Sequence, residues 1–237
     1  MTRSDASLSH SRPPPQPNRR VRRESAATSP TLGSVVAPDI ARTTLERLLR
    51  EAQRIGMLGA RPIPEAIAHA ESFVAALPGD VRTVVDLGTG AGVPGLIIAV
   101  FRPDVRVTMV DRREKRTDFV HRAIRALDVV ETARVVCANV ETLINDRQWM
   151  GSFDAAVSRG FAAPLTTVLW AARLVRPGGW VLVSEPPHDV VDRWEPRQLA
   201  AIGVSPPSRQ GPVAVFHVEH RDPSGGTPTD PLRPSVA

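Results

Sequence analysis

The sequence predicts an α/β fold built on a doubly wound, mainly parallel sheet. Three observations predict it. Short apolar runs at 83–86, 106–110, 134–138, 153–157 and 180–184 are separated by stretches with helical spacing, the alternation of a parallel sheet with right-handed crossovers. The first run passes into alternating glycines at 88, 90 and 92, then Pro94 and the apolar stretch 96–100. The second run closes on Asp111, an acid about 20 residues past those glycines.

Taken in order, residues 1–38 are rich in Pro, Ser and Arg and nearly free of large apolar groups, so they are expected to be a disordered tail. Arg19-Arg20-Val21-Arg22-Arg23 reads equally as a phosphate contact or as a solubilising charge run. Residues 39–79 are expected to form two helices that pack on the sheet or cover a bound cofactor. Leu45, Leu48, Leu49 and Ala52 share one face of the first, which ends near Gly56; Pro64 opens the second, whose inward face carries Ile67, Ala70, Phe73, Val74 and Leu77. His69 and Glu71 are expected at solvated positions of that helix.

Residues 80–220 are expected to be the cofactor-binding domain. After strand one, the glycine turn and its helix, strand two runs from Arg106 to Val110 and leads to Asp111. A helix over 112–127 turns Phe119, Val120, Ala123, Ile124 and Leu127 inward and leaves its charges on a wet face. Strand three, 134–138, leads to Asn139-Val140-Glu141, and strand four, 153–157, to Ser158-Arg159-Gly160-Phe161. The next helix buries Leu165, Val168, Leu169 and Ala172 and is expected to stop at Pro177-Gly178-Gly179, before strand five at 180–184. A helix over 189–202 and a closing strand over 212–219 complete the domain, and 221–237 reads as a second tail. His217 and His220, three apart on a strand, point to opposite faces, and no metal site is expected.

Composition narrows the function. No apolar run approaches the roughly 20 residues of a membrane span, so a cytoplasmic protein without a membrane partner is expected. The lone cysteine, Cys137, excludes a disulfide framework and a cysteine zinc site; it is expected as a small core residue. The formal net charge is +5, of which +4 falls in residues 1–38. Any pull on nucleic acid is therefore concentrated in the tail or in local patches.

The turn is read in two ways. Gly90-Ala91-Gly92-Val93-Pro94-Gly95 matches the G-x-G-x-x-G of dinucleotide sites, a weak signal by itself. The alternative is an S-adenosylmethionine loop, Asp86-x-Gly88-x-Gly90-x-Gly92. A carboxylate at the strand end repels a pyrophosphate but attracts an ammonium and a sulfonium, by a few kcal/mol at about 4 Å and intermediate dielectric. Asp86 therefore favours the sulfonium cofactor. Asp111 is placed to accept hydrogen bonds from both ribose hydroxyls, while a polar residue of the 139–141 segment can meet the adenine amino group as Val140 packs on the ring.

Together the motifs resemble the ribosomal RNA small subunit methyltransferase G family, also called glucose-inhibited division protein B. The resemblance rests on V-D-L-G-T-G-A-G-V-P-G-L at 85–96, R-P-D at 102–104, V-D-R-R-E-K-R at 110–116, N-V-E at 139–141 and F-D-A-A-V-S-R-G-F at 153–161. It implies a Rossmann-like class I methyltransferase and, as cofactor contacts, Gly88, Val93, Val140, Glu141 and Arg159. It also implies methylation of N7 of a guanine in 16S rRNA, free or in the small ribosomal subunit. The family usually carries lysine-glycine after strand five, where this chain has Glu185-Pro186-Pro187, an acid beside the expected polyanion. Its histidine-x-x-aspartate-serine segment survives only as His69-Ala70-Glu71-Ser72. Guanine N7 has a lone pair and no proton, so no general acid or base is assigned. Arg159 is the candidate for positioning, on the cofactor carboxylate or on guanine O6. Two other readings remain: a methyltransferase for another RNA or a small molecule, and a non-catalytic RNA-binding module of the same fold.

Overall fold

The computed structural model describes residues 38–186 and 193–219; both tails, His220 and the segment 187–192 lie outside the described residues. Two amphipathic helices come first, α1 (Pro38–Arg54) and α2 (Ile63–Ala76). They bury Leu45, Leu48, Leu49, Ile67, Ala70 and Phe73 in one cluster with strand residues Val84, Val107 and Ala155, and so pack on one face of the sheet.

The parallel strands are β1 (Thr83–Leu87), β2 (Arg106–Asp111), β3 (Ala133–Cys137), β4 (Phe153–Ser158) and β5 (Val175–Ser184). With β6 (Ser208–Gln210) and the antiparallel β7 (Val213–His217), the sheet order is β3-β2-β1-β4-β5-β7-β6. The connecting helices are α3 (Gly95–Phe101), α4 (Glu114–Ala126), α5 (Val140–Leu143), α6 (Pro164–Leu174) and α7 (Pro196–Ala201). Helices α3 and α4 share the apolar layer of α1 and α2, whereas α5, α6 and α7 bury Leu143, Leu169, Leu174 and Leu199 on the opposite face. Strand order therefore reverses between β1 and β4, and the loops leaving their carboxyl ends separate to opposite faces. Such a switch point opens a crevice for a ligand.

A carboxylate ties these two strands at their other end. Asp154 Oδ2 accepts from the backbone N–H of Arg82 and of Thr83, both at 2.9 Å, and from Thr83 Oγ1 at 3.0 Å, while Arg176 Nε donates to Oδ1 at 2.7 Å. Burial alone would raise the pKa of Asp154, but these donors hold it at about 2.

Three expectations are corrected, and one strand was not foreseen. Pro177-Gly178-Gly179 does not precede strand five but lies within it, in an irregularity between the Phe153–Val175 and Ala155–Trp180 pairs. Gly179 sits so close to the Asp154 carbonyl, 2.5 Å from where a Cβ would stand, that only glycine fits. Of the helix expected over 189–202, the described part is helical only over 196–201. Pro196 occupies its first turn, Glu195 is extended and its side chain accepts from Arg197 N–H at 3.3 Å, the geometry that a residue before proline favours. Strand β6, exposed at every position, has no apolar alternation to reveal it. Cys137 is exposed rather than in the core, because β3 is an edge strand and Cys137 is its last residue.

Candidate active site

The site begins where β1 stops. Gly88, Gly90 and Gly92 have φ of +66°, +59° and +85°, a region that glycine enters without strain. Asp86 anchors the curl from beneath: its Oδ2 accepts from Thr89 Oγ1 at 2.6 Å and from the Gly95 N–H at 2.9 Å. A Cβ on Gly95 would stand 2.8 Å from that oxygen, so the helix start and the carboxylate interlock. Asp86 is fully buried, and burial pushes its pKa up to about 6, against the pull of Thr89, Gly95 and Arg159. Its Oδ1 is buried with no hydrogen-bond partner. The second oxygen thus retains capacity for a positively charged group.

Asp111, at the end of β2, is the second acid, and it closes over the same turn. Its Oδ2 accepts from the Gly90 N–H at 3.0 Å and from Arg116 Nη1 at 3.3 Å, and its Oδ1 from the Arg113 N–H at 3.0 Å. A carboxylate offers about four acceptor positions, so Oδ1 has room for one ribose hydroxyl, and a second must share Oδ2 with Arg116. Arg116, expected on a wet helix face, is instead turned inward to Asp111.

A cavity of about 360 Å3 extends from here, lined by Gly88, Asp111, Asn139, Val140, Glu141 and Phe161 among others. Asn139 caps α5 by accepting from the Glu141 N–H at 3.2 Å, which presents the 139–141 segment at the carboxyl end of β3. Val140 is buried, and Asn139 and Glu141 are exposed. Phe161 closes the opposite wall, packed against Trp170 at 5.7 Å between ring centroids. A Cβ on Gly88 would lie 2.5 Å from the Phe161 ring. The size is within the range of small-ligand pockets. Hydroxyl acceptors on Asp111 and apolar surface on Val140 and Phe161 fit an adenosyl group, and the buried Asp86 carboxylate adds negative charge from beneath the turn.

Arg159, next in the chain to Gly160 and Phe161 of this cavity, lines a second one of about 520 Å3 with Arg61, His69, Ser184, Glu185 and Arg193 among others. Burial, offset by Asp86 and reinforced by Arg61, draws the Arg159 guanidinium below its ordinary range. His69 does not occupy a solvated position: it is half-buried, its Nε2 lies 2.9 Å from Ser184 Oγ, and its pKa is lowered by burial and by the charges of Arg61 and Arg159. Glu71, on the same helix, pairs with Arg42 of α1. Glu185 is 9% exposed and not left beside a polyanion without partners. Trp194 Nε1 donates to its Oε1 at 2.9 Å and Arg193 Nη1 faces its Oε2 at 3.5 Å.

Of the residues singled out in the sequence, Gly88, Asp111, Val140 and Glu141 line the first cavity and Arg159 the second. Gly90 donates to Asp111. Asp86, Gly92 and Val93 are buried under the turn and shape it from below. Phe161, Arg116, Arg61, His69, Ser184, Glu185 and Arg193 complete the two cavities. Phe161 had a local signal in the serine-arginine-x-phenylalanine run, and Arg116, His69 and Glu185 stood in segments compared with the family pattern; Arg61, Ser184 and Arg193 had none and are brought in by the fold. Among the described residues no group of three or more His, Cys, Asp or Glu side chains is placed to hold a metal, and no helix is long and apolar enough to cross a membrane.

The chain matches known proteins over this region. The family model for rRNA small subunit methyltransferase G matches residues 41–189. A ribosomal RNA small subunit methyltransferase G of Mycolicibacterium gilvum is 31% identical over 206 residues, covering 84% of this chain and 83% of that protein. Another, of Moorella thermoacetica, is 33% identical over 104 residues, spanning 44% of this chain but only 43% of its own length. In architecture the chain is similar to a 1,6-didemethyltoxoflavin-N1-methyltransferase of Burkholderia thailandensis with S-adenosylhomocysteine bound (TM-score 0.51, 20% identity, 78% of this chain and 92% of that one), a likeness of fold. Given the match across the turn, the acids and the loop after β4, this chain belongs to the rRNA small subunit methyltransferase G family of S-adenosylmethionine-dependent methyltransferases.

Proposed function

We propose that this protein methylates N7 of a guanine in 16S rRNA, free or within the small ribosomal subunit, in the cytoplasm. The observation that carries the reading is the place of Arg159, in a cavity with Arg61 and Arg193 and next in the chain to Gly160 and Phe161 of the adenosyl-sized cavity. S-adenosylmethionine supplies an electrophilic methyl group on sulfur. The chain's own contribution is placement. Asp111 accepts from ribose hydroxyls, Val140 and Phe161 hold the adenine ring and exclude water, and Asn139 or Glu141 meets its amino group. Asp86 shapes the turn and favours positive charge above it. Arg159 donates either to the cofactor carboxylate or to guanine O6. N7 already has its lone pair, so no side chain has to take a proton at the start of transfer. Holding the reacting atoms in line at near-attack distance can supply a large part of the rate enhancement.

The test is chemical analysis of the RNA. Deleting the gene is expected to remove one N7-methylguanosine from nuclease-digested 16S rRNA, read by mass spectrometry, and a plasmid copy is expected to restore it. Persistence of that nucleoside in the deletion strain, with purified protein still binding S-adenosylmethionine, would point to another RNA or a small molecule. We also propose that a copy lacking residues 1–38 restores the methyl group. Its arginines would contribute only screened phosphate contacts, which fade as salt rises from roughly 50 to 200 mM.

A further inference from the structure

We propose that Glu185 reads the target base: its carboxylate accepts hydrogen bonds from N1–H and from the 2-amino group of a guanine held in the cavity with Arg61, His69, Arg159, Ser184 and Arg193. The inference rests on the guanine-N7 reading above and adds a specificity residue to it.

The argument starts from charge. Three arginines and one carboxylate line this cavity, beside one histidine and one serine without formal charge. The excess of positive charge suits a nucleotide with its phosphate. By itself the carboxylate opposes that binding, and it is costly to bury. Yet Glu185 is 9% exposed and is held by Trp194 Nε1, which donates to Oε1 at 2.9 Å, with Arg193 Nη1 facing Oε2 at 3.5 Å. Its backbone is held too, through a 2.8 Å hydrogen bond from the Glu185 N–H to the Pro212 carbonyl. Arg193 in turn lies over the Trp194 ring at 5.0 Å.

Each carboxylate oxygen can accept about two hydrogen bonds. Each oxygen of Glu185 has one from protein, so each retains one acceptor position, and the fixed donors set the plane of the group before any ligand arrives. Two adjacent acceptors match the two adjacent donors on the Watson–Crick edge of guanine. A flipped base is commonly read on that edge. Adenine offers an acceptor at N1 and no 2-amino group, so it meets this carboxylate with lone pair against lone pair. The orientation also suits the reaction. Arg159 sits beside Gly160 and Phe161 of the cofactor cavity, so a purine with N7 toward that cavity brings O6 near Arg159 and leaves N1 and the 2-amino group for the other side of the pocket.

The test uses the full chain with 16S rRNA, free and assembled into small subunits from the deletion strain. Guanosine or inosine is ligated at the position mapped by mass spectrometry; inosine keeps N1–H, O6 and N7 but lacks the 2-amino group. With wild-type protein inosine is expected to lower kcat/KM by about tenfold, the effect of losing one hydrogen bond to a charged group. Glu185→Gln and Glu185→Ala are expected to methylate guanosine at least about tenfold less well and to lose most of the preference over inosine. Their S-adenosylmethionine affinity by calorimetry should stay within about twofold of wild type, since Glu185 is not on the cofactor cavity. Should Glu185→Ala not fold, Glu185→Gln keeps the shape and carries the comparison. Equal rates on guanosine and inosine with wild type, or an undiminished preference in Glu185→Gln, overturns the role of Glu185 while leaving the guanine-N7 reading intact. No methyl transfer to guanosine RNA by wild type overturns that reading and this inference with it.

Discussion

His69 and Ser184 meet at 2.9 Å although 115 residues separate them, one on α2 and the other at the carboxyl end of β5. The contact ties the N-terminal helices to the rim of the sheet beside Arg159. Burial, then Arg61, then Arg159 lower the pKa of His69 from its usual 6.5. The unfolded chain therefore takes up this proton more readily than the folded one, and stability falls as pH drops below about 6.5. We predict that His69→Ala lowers stability by about 1 kcal/mol at pH 7.5 and flattens that part of the profile. Chemical unfolding of both proteins at pH 7.5, 6.5 and 5.5 measures it, and parallel profiles would remove His69 as the titrating group.

Asp86 works in the opposite sense. Its folded pKa of about 6 is above the ordinary 3.8, so the folded state holds this proton more tightly and stability declines as pH rises from about 4 to about 6, then levels off. Asp86→Asn keeps an oxygen for Thr89 and Gly95 and is predicted to lack the decline. It should also weaken S-adenosylmethionine binding about three- to tenfold at pH 7.5 by removing a negative charge beneath a cation. Calorimetry on the folded variant decides, and unchanged affinity would confine Asp86 to shaping the turn.

Two of the three glycines of the turn should fail for different reasons. A Cβ on Gly88 meets the Phe161 ring at 2.5 Å, whereas one on Gly90 meets only Arg116 Nη1 and the Gly88 carbonyl at 3.9 Å. Gly88→Ala is predicted to displace Phe161 from the adenine wall and weaken cofactor binding at least about tenfold. Gly90→Val is predicted to fold with about 1–3 kcal/mol of backbone strain and to lose cofactor binding because its side chain stands over the approach to Asp111. Wild-type affinity in Gly90→Val would place the cofactor elsewhere.

Asp111 holds both the turn and the proposed ribose contact. Asp111→Ala leaves the Gly90 and Arg113 N–H groups and Arg116 without their acceptor, so both cofactor affinity and thermal stability should fall, the former by about 1–3 kcal/mol. Asp111→Asn keeps the shape and should recover most of the stability but less of the affinity. Titration calorimetry set beside melting curves separates the two effects.

Far from the site, Asp154 should dominate acid sensitivity. Its pKa is held at about 2 against an ordinary 3.8, so its stabilising effect is complete above about pH 4 and is lost as pH falls toward 2. The expected loss is about 1–2 kcal/mol after allowance for solvent screening, and Asp154→Asn should lack it. Acid titration followed by circular dichroism shows whether the two curves separate between pH 4 and 2.

Local chemistry alone determined much of this protein. Alternating glycines after a short apolar strand admit few backbone paths, and an acid at the end of the next strand is held near them by the βαβ unit. The turn at Gly88 and the placing of Asp111 beside it were legible for that reason, whereas Glu141 was named only through the family resemblance; the inward faces of α1, α2 and α4 were legible because helical spacing assigns a face whatever lies opposite. Spacing does not say which neighbour that face will meet. His69 and Arg116 looked solvated along their own helices, and only the placement of α2 against β5, and of α4 over Asp111, turned them inward. Glu185 looked like a misplaced charge until the chain returned through Arg193 and Trp194. Cys137 looked like a core residue until β3 proved to be the sheet edge. Each depends on strand order, which arises from packing two helical layers on one sheet rather than from any short run of residues.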